Sequence, residues 1–308
     1  MQAEAIIAAP PISATWSLVI YCALTLLASL AGGWLLLFIH LTHTRLQTAI
    51  SFVAGLMLGI ALLHFLPDAE KYLHSLDRTA EWMLGGFLAM FFVQRFFHFH
   101  HHDLPEGDPE DCCGHDHDHE AHAHKEHAHT LADKSAKQLS WVGTALGLTF
   151  HSLLDGLALA VAVQAGVQGQ AKFAGLGVAL VVILHKPFDA MAVSTLMSAG
   201  GKSRFSRHVL NGLFALASPL GAALFYFGAG HLAGDSVPVL GCALAFCAGT
   251  FLCIASADLL PELQFHSHDR FKLSVALLLG LSVAALIKHF EAAQDEPASA
   301  PAAIQSAS

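Results

Sequence analysis

The sequence predicts an all-α integral membrane protein, a bundle of about eight transmembrane helices. Two observations predict it. Four stretches contain no Asp, Glu, Lys or Arg: 5–44, 46–67, 208–234 and 236–257. Of the 308 residues, 55% are hydrophobic and 13% charged, whereas an ordinary soluble domain carries about 25% charged residues. Charge this sparse cannot clothe the water-facing surface of one or two soluble domains of this length. It also excludes a disordered chain, and nothing suggests a disulfide scaffold. A net charge of −9 argues against nucleic acid as a partner.

A helix needs about 20 apolar residues to cross the hydrocarbon core, and open sheet cannot satisfy its backbone in lipid. On that basis the spans are 16–39, 48–67, 80–97, 141–164, 173–197, 209–230, 237–260 and 271–290. The third is the least apolar, because Gln94 and Arg95 lie near its end. No Lys or Arg precedes Arg45, so the first run lacks the basic start of a signal peptide and is expected to remain as an anchor. Cys22, Cys242, Cys247 and Cys253 lie in spans and read as small packing residues.

Basic residues set the orientation. With the amino terminus outside, ten Lys and Arg fall on the cytoplasmic side, four fall outside, and Lys186 lies within a span. The chain then divides into an extracytoplasmic tail (1–15), helices one to three (16–97), a cytoplasmic loop (98–140), helices four to eight (141–290) and a second extracytoplasmic tail (291–308). A multi-pass cell-membrane protein in contact with the lipid bilayer is expected.

The loop holds half of the 22 histidines: His98, His100, His101, His102, His115, His117, His119, His122, His124, His127 and His129. Acids are interleaved, with Cys112 and Cys113 in the middle. Such a tract builds no core, so disorder is expected. Imidazole is the commonest protein ligand for zinc-like ions, which makes His115 to His129 a metal-capture segment.

Ionisable groups inside a bilayer cost about 2.5–3.5 kcal/mol each at a helix centre on insertion scales, so their presence needs a reason. Here they recur at one spacing: His151 with Asp155 in the fourth span, and His185 with Asp189 in the fifth. Four residues place each His and Asp on one helix face, one turn apart. The two histidines lie about 15 Å and about 18 Å into their spans at 1.5 Å per residue, near mid-membrane. Two such faces opposed offer two imidazoles and two carboxylates, a set suited to a divalent ion such as Zn²⁺. Lys186 adds an ammonium that opposes a second cation, or else forms a salt bridge to Asp155 or Asp189. Pro187 removes a backbone donor beside it. Two outlying sets bracket the centre. His64 and Asp68 are expected at an entrance, and Asp258, Glu262, His266 and His268 at an exit.

The motifs HSLLDG at 151–156 and HKPFDA at 185–190 resemble the fourth and fifth spans of the ZIP (Zrt/Irt-like) family of divalent metal transporters. LHFLPDAE at 63–70 resembles its second span, and SADLLPE at 256–262 its seventh. The eight-span count, outside termini and His-rich loop after the third span fit the same pattern, so the resemblance covers about 16–290. It implies a ZIP-like fold and transport of zinc, with cadmium, iron or manganese as further substrates. His151, Asp155, His185 and Asp189 fall on the family's principal transport site. Ser152, Lys186 and Ser218 fall where binuclear members hold a second ion, which implies one metal here. Asp155 and Asp189 stand where Glu is commoner, and Phe188 and Ala190 depart from the Pro and Gly of many members. The resemblance also implies a homodimer and an elevator-like motion of one helix group against another.

Alternatives come from other classes. A cation-diffusion exporter shares intramembrane His and Asp but usually has six spans and a folded carboxy-terminal domain; only about 18 residues follow the last span here. A membrane metalloenzyme needs HExxH or several histidine boxes, and these are missing. A storage or sensing protein leaves the paired mid-membrane ligands unexplained. No GxxxxGK[ST] loop is present, so the chain is not expected to hydrolyse ATP or to be an enzyme.

Overall fold

The structure is a computed structural model that describes residues 12–38, 43–97, 126–168, 173–232, 236–265 and 270–295. They form ten α-helices: α1 (Ile12–Phe38), α2 (His43–Gly59), α3 (Leu66–Leu73), α4 (Leu76–Phe97), α5 (Glu126–Gln168), α6 (Leu176–Ala199), α7 (Arg204–Ala215), α8 (Ala217–Leu232), α9 (Ser236–Phe265) and α10 (Arg270–Asp295). A π-helical turn, Ile60–Phe65, joins α2 to α3. No strand occurs among the described residues, so the all-α membrane bundle holds.

Seven stretches are long and apolar enough to cross a membrane, and they lie in α1, α2–α3, α5, α6, α7–α8, α9 and α10. The remaining expected span, 80–97, is not among these seven. The stretch 80–97 folds into the 22-residue α4, about 33 Å long by the helical rise. Asp77, Arg78, Glu81 and Arg95 make it less apolar than the others.

The sixth span is two helices. Pro219 has no N–H to give the Ala215 carbonyl, and the chain turns at Leu216 between α7 and α8. A further correction concerns the loop. Helix α5 begins at Glu126, so 126–140 is helical, and His127 and His129 sit in its first turn. The segment EHAHTLADKSAKQLS has three Ala, no Gly and no Pro, and Asp133 precedes Lys137 by four residues, a helix-stabilising spacing. His98, His100, His101, His102 and His115 to His124 lie outside the described residues.

The helices pack as two groups. In the first, α5 lies against α8, α1 against α6, and α7 bridges α1 and α6. In the second, α2 lies against α10, α4 against α9, and α3 and the π turn also pack on α9. The seam between the groups is thinner, carried by α5 against α4 and α9 and by α2 against α6. One apolar core runs through both, from Leu56, Met57 and Ile60 to Leu159, Val161, Val181, Leu244 and Phe251. The four mid-membrane His and Asp residues all belong to α5 and α6, and hence to the first group.

Candidate metal centre

Helices α5 and α6 pack side by side, so their four-residue His/Asp faces meet. His151 Nε2 lies 3.4 Å from Asp155 Oδ2 and 3.5 Å from Asp189 Oδ2. His185 Nε2 lies 3.1 Å and 3.8 Å from the same two oxygens. One ligand atom from each of the four residues falls within 4.8 Å of all the others. Zinc bonds of about 2.1 Å at a tetrahedral angle separate neighbouring ligands by roughly 3.4 Å, so these four distances are those of a compact four-ligand cage. His151, Asp155 and His185 are buried, and Asp189 is partly open. Among the described residues no other group of three His, Cys, Asp or Glu gathers in this way.

Hydrogen bonding aims the ligands. His185 Nδ1 lies 2.9 Å from the Val181 carbonyl and donates to it. A neutral His185 therefore turns its Nε2 lone pair toward Asp155. Two lone pairs face one another there, an arrangement that a bound cation relieves. Asp155 Oδ1 and His151 Nδ1 are buried without a hydrogen-bond partner. Such orphaned polar atoms in a protein interior mark a place where another ligand or water completes the site.

The centre already contains one cation of the chain's own. Lys186 Nζ donates to Asp155 Oδ2 at 2.5 Å, to Ser152 Oγ at 2.8 Å and to Asp189 Oδ2 at 3.3 Å. It also lies 5.8 Å from the centre of the Phe214 ring. Both salt-bridge partners anticipated for Lys186 are thus engaged at once. Sequence reasoning did not single out Phe214 or Val181. Their roles depend on helix packing, which leaves no local spacing to read.

Two glycines fix how closely the helices approach. A Cβ on Gly156 would collide with the Ser218 carbonyl and the Ala222 nitrogen of α8. The residue after Asp155 must therefore be Gly for α8 to seal that carboxylate from the surroundings. A Cβ on Gly32 would meet the carbonyl and Cα of Pro187, so α1 presses directly on the α6 turn that carries Lys186 and Asp189. Ser218 itself is buried on α8.

The outlying candidates behave differently. His64 lies in the π turn, and its Nε2 donates to the Ala284 carbonyl of α10 at 3.0 Å. Asp68 Oδ1 pairs with Lys71 at 2.9 Å and with Lys288 of α10 at 3.2 Å. A π turn winds more residues per turn than an α-helix, so a four-residue spacing does not stack as it does there. Among the described residues, no gathered group of three or more possible ligands includes His64 or Asp68. Asp258 and Glu262 are on α9, and their side chains lie outside the described residues, as do His266 and His268 altogether.

The geometry agrees with what comparison with known proteins gives. The sequence matches the family profile described as ZIP Zinc transporter over residues 16–288. The chain belongs to the ZIP zinc transporter family. Its relatives include Zinc transporter ZIP9-A of Xenopus laevis, 30% identical over 298 residues, a match that covers 83% of this chain and 89% of that protein. Zinc transporter ZIP9-B of Xenopus laevis is 36% identical over 173 residues, 52% of this chain. There the match spans about half the relative's length, 54%. Zinc transporter ZIP13 of Mus musculus is 26% identical over 293 residues, 86% of this chain and 73% of that protein. The family is one of transporters and not of enzymes.

Proposed function

We propose that the chain carries zinc across the cell membrane toward the cytoplasm through a single central site formed by His151, Asp155, His185 and Asp189. The observation that carries this reading is the convergence of one ligand atom from each of these residues within 4.8 Å. Two nitrogen and two oxygen donors suit Zn²⁺, and cadmium, iron and manganese are further candidate cargoes.

In this reading Lys186 takes the place of a second metal. Its ammonium holds Asp155 and Asp189 while no cargo is bound. An arriving divalent ion competes with it for those oxygens, and the ammonium retreats toward Ser152 Oγ and the face of Phe214. Asp68 and His64 assist entry, and Asp258, Glu262, His266 and His268 assist release. The cytoplasmic loop, with His115, His117, His119, His122 and His124, and the first turn of α5, with His127 and His129, buffer metal that has crossed. All four central ligands belong to the group of α1, α5, α6, α7 and α8. Movement of that group along the thinner seam would carry the cage from one face to the other. A homodimer is the assembly that the family resemblance implies.

Zinc uptake into sealed vesicles containing the purified chain tests the function. The Asp155→Ala/Asp189→Ala variant serves as control, and uptake is expected only with the unaltered chain. Equal uptake by both would exclude this site from the path.

A further inference from the structure

We infer that a groove between α4 and α9, far from the metal cage in function, binds one anionic phospholipid, with its phosphate on Arg95 and an acyl chain along Phe87 and Phe91. The groove is open to the surface, offers about 550 Å³ and is lined by Phe87, Phe91, Gln94, Arg95, Cys253 and Ser256, among others. That volume lies within the roughly 300–1,000 Å³ of small-molecule pockets. Its cause is local. A Cβ on Gly86 would strike the Phe246 carbonyl, and one on Gly249 would strike Met83 and Phe87, so the two helices touch along glycines there. One to two turns further on, Gln94 and Cys253 stand between them, with Cys253 Sγ donating to Gln94 Oε1 at 3.5 Å.

The two ends of the groove differ in chemistry. Phe87 and Phe91 give one end an apolar wall. Phe91 packs edge-on against Phe92, which stacks on Phe96, so that wall continues along the exposed side of α4. The other end has Gln94 and Arg95 in the last turn of α4. Arg95 is exposed, and the described residues lining the groove include no carboxylate to neutralise it.

A guanidinium at the edge of hydrocarbon is stabilised when two oxygens of one phosphate accept two parallel hydrogen bonds from it. An anionic phospholipid presents such an anion joined to a chain that can lie along phenylalanines. A free anion would satisfy Arg95 but leave the apolar wall unfilled. In the proposed orientation this end faces the cytoplasm, where anionic lipid is concentrated. The inference rests on that orientation only for the choice of leaflet, and it is independent of metal binding.

The test uses the full-length purified chain, with phosphatidylglycerol and phosphatidylcholine of identical acyl chains, read by native mass spectrometry. Retention of one phosphatidylglycerol is expected, about tenfold favoured over phosphatidylcholine. Arg95→Gln should lower phosphatidylglycerol retention about tenfold, to the phosphatidylcholine level, whereas Arg95→Lys should keep part of the preference. Phe91→Trp, which fills the groove without altering charge, should lower retention of both lipids. Zinc stoichiometry, measured on the same samples, should be unchanged and shows that each variant is folded. Equal retention of the two lipids, or no effect of Arg95→Gln in a zinc-competent sample, would overturn the assignment. So would displacement of the lipid by millimolar inorganic phosphate, or a dimer that Phe91→Trp splits.

Discussion

The ammonium of Lys186 and the carboxylate of Asp155 meet at 2.5 Å, on the same oxygen that faces His151 at 3.4 Å and His185 at 3.1 Å. Asp155 is fully buried, so this contact governs both the resting stability of the cage and its competition with cargo. Replacing Lys186 with Met leaves a buried carboxylate without its cation, a change that costs about 3–5 kcal/mol when one partner of a buried pair is lost. Without metal, the Lys186→Met protein should therefore unfold at lower temperature than the unaltered chain. With saturating zinc the difference should shrink, because zinc now supplies the missing charge, and zinc affinity should rise by about tenfold or more. Calorimetric titration and thermal unfolding, each with and without zinc, measure both effects. Unchanged affinity would mean that the ammonium does not compete. In Lys186→Glu, zinc stoichiometry should rise from one to two.

Gly156 predicts a packing effect separable from ligand chemistry. An added methyl meets the Ser218 carbonyl, and backbone cannot yield as a flexible side chain can. Gly156→Ala should cost about 1–3 kcal/mol, the usual range for overpacking. It should also slow zinc flux by shifting α5 from α8. Gly85→Ala is the control, since a Cβ there meets nothing within 4 Å. Thermal unfolding of the two variants side by side decides the matter, and equal melting temperatures would remove the close-approach role of Gly156.

The helix faces at 151–155 and 185–189 were legible because a four-residue spacing is a local signal that survives into any α-helix. The all-α membrane class was legible for a similar reason, since absence of charge is a property of each segment alone. Other features required packing information. Lys186 reaches across from α6 to Ser152 and Asp155 on α5 while also holding Asp189, and no spacing in the chain says that it will engage both carboxylates at once. The π turn at Ile60–Phe65 changes the facing of His64, and hydropathy carries no trace of such a turn. The break at Leu216 was readable in principle from Pro219 but was hidden by a continuous apolar run. The helix from Glu126 onward was masked by its histidines, whose metal chemistry drew attention from the Ala-rich pattern beneath.

Lys288 and Asp68 predict an effect on capture. Two ammoniums engage Asp68 in this structure, Lys71 on its own helix and Lys288 from α10. Both pairs are partly exposed, so each contributes little to stability, about 0–1 kcal/mol. Their effect on a mobile cation is larger than that on folding, because they neutralise the one carboxylate of the pair. Lys288→Ala should lower the KM for zinc in vesicle uptake at low ionic strength, with little change in maximal rate. Asp68→Asn should raise KM. High salt should narrow both differences. No movement of KM in either variant would take Asp68 out of the entry path.

The hydrogen bond from His185 Nδ1 to the Val181 carbonyl predicts how binding responds to acid. That bond leaves Nε2 as the metal-facing nitrogen. A protonated Nε2 cannot ligate, and neither can a protonated carboxylate oxygen, so zinc must displace whatever protons these four side chains hold. Lowering the pH from about 8 to about 6 raises the proton concentration about a hundredfold and so strengthens the protons' competition with zinc. The sign is therefore fixed: affinity falls with acid, and more protons are released per zinc at about pH 6 than at about pH 8. Calorimetric titrations in two buffers of different ionisation enthalpy count those protons directly. His185→Ala should weaken binding by removing one of four ligands, and it should also flatten the pH dependence, because one titrating ligand is gone. A variant with lost affinity but the same proton release would show that His185 shapes the cage without binding the metal.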